Sequence, residues 1–137
     1  MVEIKVAYEG DLRCTALHTP SGNTLVTDAP VDNNGRGQSF SPTDLVATAL
    51  GSCMVTVMGI VAKRRDIALQ GMMVTVRKHM SDDSPRRIKR LEVDFSVPLA
   101  GSHPARTLLE GAAHACPVSQ SIHPDIEVVM NWTWLEG

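Results

Sequence analysis

Three cysteines carry most of the chemistry this chain could do. Cys53 sits in the middle of a long stretch, SPTDLVATALGSCMVTVMGIVAKRRD from Ser41 to Asp66, that is uncharged between Leu45 and Ala62. Stepping from it by three and four gives Val46, Ala49, Leu50, Val57 and Ile60, so on a helix the thiol lies on an apolar face. A cysteine among such neighbours ordinarily serves as a small hydrophobe. Cys116 is placed differently. In Cys116-Pro117-Val118-Ser119-Gln120 it stands just before a proline at a helix start, where the dipole and nearby N–H groups lower a thiol's pKa. On local grounds Cys116 is therefore the better thiolate and Cys53 the buried one, and a structural role for both stands level with a redox pair. Cys14, on an alternating stretch, reads as an inert buried thiol. Metal binding is a second chemistry, through Cys14, His18, His114 and Cys116 as soft and borderline ligands. Against it, residues four apart on a strand share a face but stand far apart, and neither pair has finger-like spacing. The five histidines taken singly read as surface or structural residues.

The elements that must position these thiols follow from pattern and punctuation. Ser41 can cap a first turn, Pro42 suits the first helical position and Asp44 places an acid at the positive end of the dipole. Lys63, Arg64 and Arg65 gather where cations favour a helix end, so the spacing predicts a helix from about Pro42 to that cluster. The uncharged run just reaches membrane-spanning length. Thr48, Gly51, Ser52, Thr56 and Gly59 dilute it, however, and half-buried strands flank it, so it reads as a core helix covered by protein on most sides.

Before this helix, Val2 to Tyr8, Leu12 to His18 and Thr24 to Asp28 read as an antiparallel meander with turns at Glu9-Gly10-Asp11 and Pro20-Ser21-Gly22-Asn23. Pro30 to Phe40 reads as a surface loop carrying Arg36. After the helix, Gln70 to His79 and Ile88 to Pro98 alternate as antiparallel neighbours. A second helix follows with Ser102 as its cap and Leu108, Leu109, Ala112 and Ala113 as its stripe, stopped at Pro117. Val118 to Ile122 is a helical turn and Ile126 to Leu135 a closing strand. The result is one domain over 1–137 of α+β class, antiparallel sheets packed around a long buried central helix. So apolar a helix needs more cover than one small sheet supplies, and a second copy of the chain would provide it.

With 137 residues, 43% hydrophobic content, 20% charge and a net charge of −2, the composition is that of a soluble globular protein. Aromatics make up 4%, which together with the slightly acidic balance argues against a nucleic-acid partner. The opening MVEIKVAYEG has no apolar signal-peptide core, and the chain reads as cytoplasmic with no membrane partner. In such a compartment three cysteines point to redox or metal chemistry before a disulfide framework.

Several stretches resemble one known family, the OsmC and organic hydroperoxide resistance proteins. They are Tyr8-Glu9-Gly10-Asp11-Leu12, Ser41-Pro42-Thr43-Asp44-Leu45 with Gly51-Ser52-Cys53, and Ala115-Cys116-Pro117-Val118-Ser119-Gln120, and the order of elements matches along essentially the whole chain. The resemblance implies a thiol peroxidase without metal, haem or other cofactor, built as an intertwined homodimer with its sites at the subunit interface. It implies that Cys53 attacks the peroxide and becomes a sulfenic acid, and that Cys116 closes a disulfide with it, the reverse of the local reading. The pocket around the pair would be apolar, drawn from Phe40, Met54 and Val57. A dithiol reductant, such as a lipoyl-type one, would reopen the disulfide.

In this family an early arginine activates the attacking thiolate. Arg13 is the nearest candidate and Arg36 the second. The family's well-behaved peroxidases have a glutamate after the helix-start proline that holds this arginine. Here Thr43 stands there, and the acid, Asp44, comes one residue later, about 100° around the helix. Orientation of Arg13 would then fall to Asp44 or to the Thr43 hydroxyl, and the pattern resembles the OsmC-like branch. The alternative reading is a redox-sensing or small-molecule-binding protein that uses the same cysteines and pocket with little turnover.

Overall fold

A computed structural model describes residues 1–136. Its elements run β1 (Ile4–Gly10), β2 (Arg13–His18), β3 (Thr24–Asp28), α1 (Pro42–Arg64), β4 (Met73–Met80), β5 (Ile88–Ala100), α2 (Arg106–His114), α3 (Pro117–Ser121) and β6 (Glu127–Leu135). The α+β class expected from the pattern is what forms, as two compact units, Met1–Val46 and Ala47–Gly137.

In the first unit β1, β2 and β3 pair as an antiparallel meander, with Ile4 opposite His18 and Cys14 opposite both Tyr8 and Thr27. The first turn falls slightly later than expected. Gly10, Asp11 and Leu12 all have positive φ, so β2 begins at Arg13 rather than Leu12. Glycine takes that conformation freely and Asp tolerates it, whereas Leu12 adopts it against its own Cβ.

The loop from Pro30 to Phe40 contains a short 3₁₀ turn at Val31–Asn33 and is fastened to the end of β3. Asp28 N–H donates to the Phe40 carbonyl at 3.0 Å, Gly37 N–H to that of Ala29 at 3.1 Å, and the Ser39 hydroxyl to that of Val26 at 2.8 Å. The Asp28 carboxylate takes the Gln38 N–H at 3.0 Å and the Arg13 guanidinium at 3.2 Å while only 1% of the residue is exposed. Gly35 is required where the loop folds back, because a Cβ there would lie 1.8 Å from the Ala29 carbonyl oxygen. Helix α1 then starts on a reciprocal cap. Ser41 Oγ accepts from Asp44 N–H at 3.1 Å and Asp44 Oδ2 accepts from Ser41 N–H at 2.9 Å, so two otherwise unpaired donors are satisfied.

In the second unit α1 turns Ala47, Leu50, Met54, Met58 and Ala62 into a core completed by Leu91, Val93, Phe95, Val97, Ala105, Leu109, Ala113 and Cys116. By length and composition α1 alone among the described helices could cross a membrane, and this packed face shows it as a core helix. Its opposite side is less covered than the sequence suggests, and Ile60 remains 47% exposed. Gly51 sits directly over β4: a Cβ there would meet Val76 Cγ2 at 2.7 Å.

The second sheet has the order β4-β5-β6. β4 and β5 are antiparallel as expected, but β6 runs parallel to β5, with Leu91 beside Val128 and Phe95 beside Trp132, so the two sheets are not antiparallel throughout. The reason is the connection: α2 and α3 intervene, and such a crossover brings the chain back in the same direction. Phe95 and Trp132 stack at 3.9 Å between ring centroids. Trp134 Nε1–H donates to Glu110 at 3.2 Å and the Arg106 guanidinium lies 5.3 Å from its ring centroid, tying β6 to α2. Helix α2 starts later than expected, with Ala105 at its cap position instead of Ser102, because His103 Nδ1 accepts the Ala105 N–H at 3.0 Å and makes a turn there first.

Two tests follow from this packing. Gly51→Ala should lower the melting temperature despite the gain in helix propensity, whereas Gly111→Ala, on an exposed helix position with nothing within 4 Å, should stabilise by about 0.5–1 kcal/mol. Thermal melts of the two variants check the contrast. The Gln38 N–H, with help from Arg13 and Arg36, holds the Asp28 pKa below its ordinary value against the opposing effect of burial. A depressed carboxylate stabilises the fold fully above its unfolded pKa and loses that contribution as pH falls through the folded one. The stability gap between wild type and Asp28→Asn should therefore be widest near neutrality and close below about pH 4, as melts across that range would read.

Candidate functional site

Cys53 and Cys116 come together within the second unit. Cys53 is half-buried on α1, one residue before the fully buried Met54. Cys116 has an extended backbone (φ −64°, ψ 144°) at the cap position of α3, with Pro117 at the first helical position. Extended geometry at a cap turns the side chain back over the first turn, so the sulfur can take the place of a capping oxygen. Sγ of Cys116 accepts the Ser119 N–H at 3.3 Å, and the Val118 N–H also points to it. Cys53 packs against the core cluster that includes Cys116 and is near enough to affect its titration, and both are free thiols.

The lowered pKa expected for Cys116 from its place at a helix start is not what its surroundings produce. Burial comes first and pushes its pKa up; the Ser119 N–H pulls it down, the neighbouring Cys53 pushes it up again, and the Val118 N–H lowers it by less. Cys116 is fully buried, and a helix of five residues has too few aligned peptides to offset that loss of solvation. Low exposure cannot be read from a Cys-Pro dipeptide, which is why the local pattern misleads.

The remaining residues singled out in the sequence occupy varied surroundings. Met54, expected to line an apolar pocket, is 0% exposed and belongs to the core, while Val57 is half-buried on α1. Phe40, in the first unit, is 53% exposed. Arg13 and Arg36, also in the first unit, line with Glu9, Gly10 and Asp11 an open hollow of about 190 Å³. Arg13 is held by Asp28 and by Gln38 Oε1, the latter at 2.8 Å, rather than by the helix start. There Asp44 binds the Ser41 N–H, and the Thr43 and Ser41 hydroxyls lie 3.2 Å apart.

Asp28 and Gln38 are thus the residues that the sequence reading passes over. The available signal is weak: an acid ends a short strand, and nothing local says that it turns inward. As for metal ligands, Cys14 and His18 are on β2 in the first unit, and His114 and Cys116 are in the second. Among the described residues no group of three or more His, Cys, Asp or Glu could hold a metal ion.

The fold has relatives among solved structures. A solved protein of Psychrobacter arcticus 273-4, named for osmotic stress induction and a detoxification response, is 42% identical, with a TM-score of 0.91 over 97% of this chain and 96% of that one. An organic hydroperoxide resistance protein OsmC of Legionella pneumophila shares the fold at 18% identity and a TM-score of 0.77, over 97% and 96% of the two chains. One from Vibrio cholerae, solved with captopril in one of its active sites, does so at 19% identity and a TM-score of 0.76, over 96% and 90%. No curated protein matches the chain in sequence. The model of OsmC-like proteins matches residues 35–131, a span that takes in both α1 with Cys53 and the Cys116 turn, and with it the chain belongs to the OsmC-like family.

Proposed function

We propose that the protein is a cysteine-based peroxidase that reduces organic hydroperoxides. The observation that carries the reading is the packing of Cys53 against the core cluster that holds Cys116, close enough for each to feel the other's charge. The Cys53 thiolate attacks the terminal oxygen of the hydroperoxide, the O–O bond breaks, and the departing alkoxide takes a proton to leave as an alcohol. Cys53 is then a sulfenic acid. The Cys116 sulfur attacks it, expelling the hydroxyl as water and closing a disulfide. A dithiol of lipoyl type, itself oxidised to a disulfide, returns both thiols.

The raised pKa of Cys116 suits this division of labour. A protonated Cys116 can donate its S–H to the Cys53 thiolate and does not compete for the peroxide, since the thiolate is the nucleophile. Arg13 supplies the cation that favours the Cys53 thiolate, with Arg36 as the second candidate. In this reading Arg13 comes from a second copy of the chain in a homodimer located in the cytoplasm. Support for the dimer is the apolar surface a single chain leaves uncovered: Ile4, Val6 and Tyr8 on β1 are 58%, 64% and 67% exposed, and Ile60 on α1 is 47% exposed. Interfaces that cover such surfaces usually bury more than about 2,000 Å².

With a dithiol reductant, wild type should consume a bulky organic hydroperoxide faster than hydrogen peroxide, and Cys53→Ser should lose at least about 100-fold in rate. Cys116→Ser should complete one turnover and accumulate the Cys53 sulfenic acid, seen by mass spectrometry. A reversible Cys53–Cys116 disulfide without turnover would instead support a redox sensor. Sedimentation should give a dimer at low micromolar concentration, and a stable folded monomer there would remove the shared site.

A further inference from the structure

The tether on Arg13 has a structure of its own. Among the described residues both hydrogen bonds of the guanidinium leave from Nη2, one to Asp28 Oδ2 at 3.2 Å and one to Gln38 Oε1 at 2.8 Å. A guanidinium is planar and presents its donors in a rigid fork, so fixing one corner aims the others. The remaining edge belongs to a side chain that is 35% exposed and that borders the hollow shared with Glu9, Gly10, Asp11 and Arg36.

Asp28 is suited to hold that aim. It is 1% exposed at the end of β3, and β3 is registered to β2 with Arg13 directly opposite Asp28. Its Oδ2 also takes the Gln38 N–H at 3.0 Å, so backbone and side chain of Gln38 and the guanidinium close a small ring of hydrogen bonds around one carboxylate oxygen. Its Oδ1 is buried without a hydrogen-bond partner among the described residues. Here the carboxylate spends its hydrogen bonding on one side, where Arg13 and the loop meet. Arg36, on the same loop, feels the same negative charge.

We infer that Asp28, with Gln38, is the positioning residue that holds Arg13 in the one orientation from which its free edge can meet an anionic sulfur or peroxide oxygen. Thr43 and Asp44 are engaged with Ser41 and leave this task to Asp28. The inference rests on the reading that Arg13 favours the Cys53 thiolate. Asp28 touches neither substrate nor sulfur in this arrangement; it acts through Arg13 alone.

The test is the pH dependence of Cys53 alkylation in the full chain. Arg13→Ala should move the midpoint up by about one unit or more, the effect of removing a nearby cation. Asp28→Asn should move it in the same direction, and the double variant should match Arg13→Ala rather than add to it. Gln38→Ala, an exposed position, should give a smaller shift the same way and serves where Asp28→Asn does not fold. A shift in Arg13→Ala with none in either Asp28→Asn or Gln38→Ala overturns the positioning role alone, as does full additivity in the double variant. An unchanged profile in Arg13→Ala overturns both this inference and the reading beneath it.

Discussion

Helix α1 reaches the second sheet only because position 51 has no side chain. A single methyl there would press on Val76, and the helix would have to lift from β4. Leu50 and Met54, on either side of that contact, and Met58 fill the core behind it, so the approach of backbone to strand sets the depth of the whole apolar face. Cys53 lies two residues further on, and its distance from Cys116 inherits that depth. Under the proposed function, the meeting of the pair would then depend on a glycine placed against Val76 rather than against either sulfur.

The opposing influences on Cys116 give the site its asymmetry. Two N–H groups of α3 would stabilise a thiolate there, and in solvent they would prevail. Complete burial raises the free energy of the charged form by more, so the thiol stays protonated. In the proposed cycle the same N–H groups would serve a second purpose, stabilising this sulfur as it leaves a reopened disulfide as an anion. One residue can thus be a poor nucleophile before oxidation and a tolerable leaving group after it.

Much of this arrangement was legible in the chain. The Ser41-Pro42-Asp44 start, the basic end of α1 and the alternation of the strands depend on near neighbours, and near neighbours are what a sequence displays. Cys53 and Cys116 were found as a pair through family resemblance, because nothing local links a mid-helix thiol to one more than sixty residues away. The parallel course of β6 was hidden, since alternation marks a strand but not its direction. Asp28 was hidden for a related reason: a strand end followed by Ala29-Pro30 looks like a surface turn, and only the return of Gln38 buries it. The α2 start was misplaced because the side chain of His103, two residues before the cap position, takes the Ala105 N–H, a role that the sequence pattern assigned to Ser102 as cap.

The parallel pairing of β5 and β6 also orders events in time. Residues 90–97 find their partners at 127–134, so this half of the sheet stays open until a late stretch of chain emerges from the ribosome. Until then Phe95 lacks the indole that stacks on it, and the core cluster that includes Cys116 lacks Val128, Met130, Trp132 and Trp134. Only when the last strand docks does the core around the buried Cys116 close.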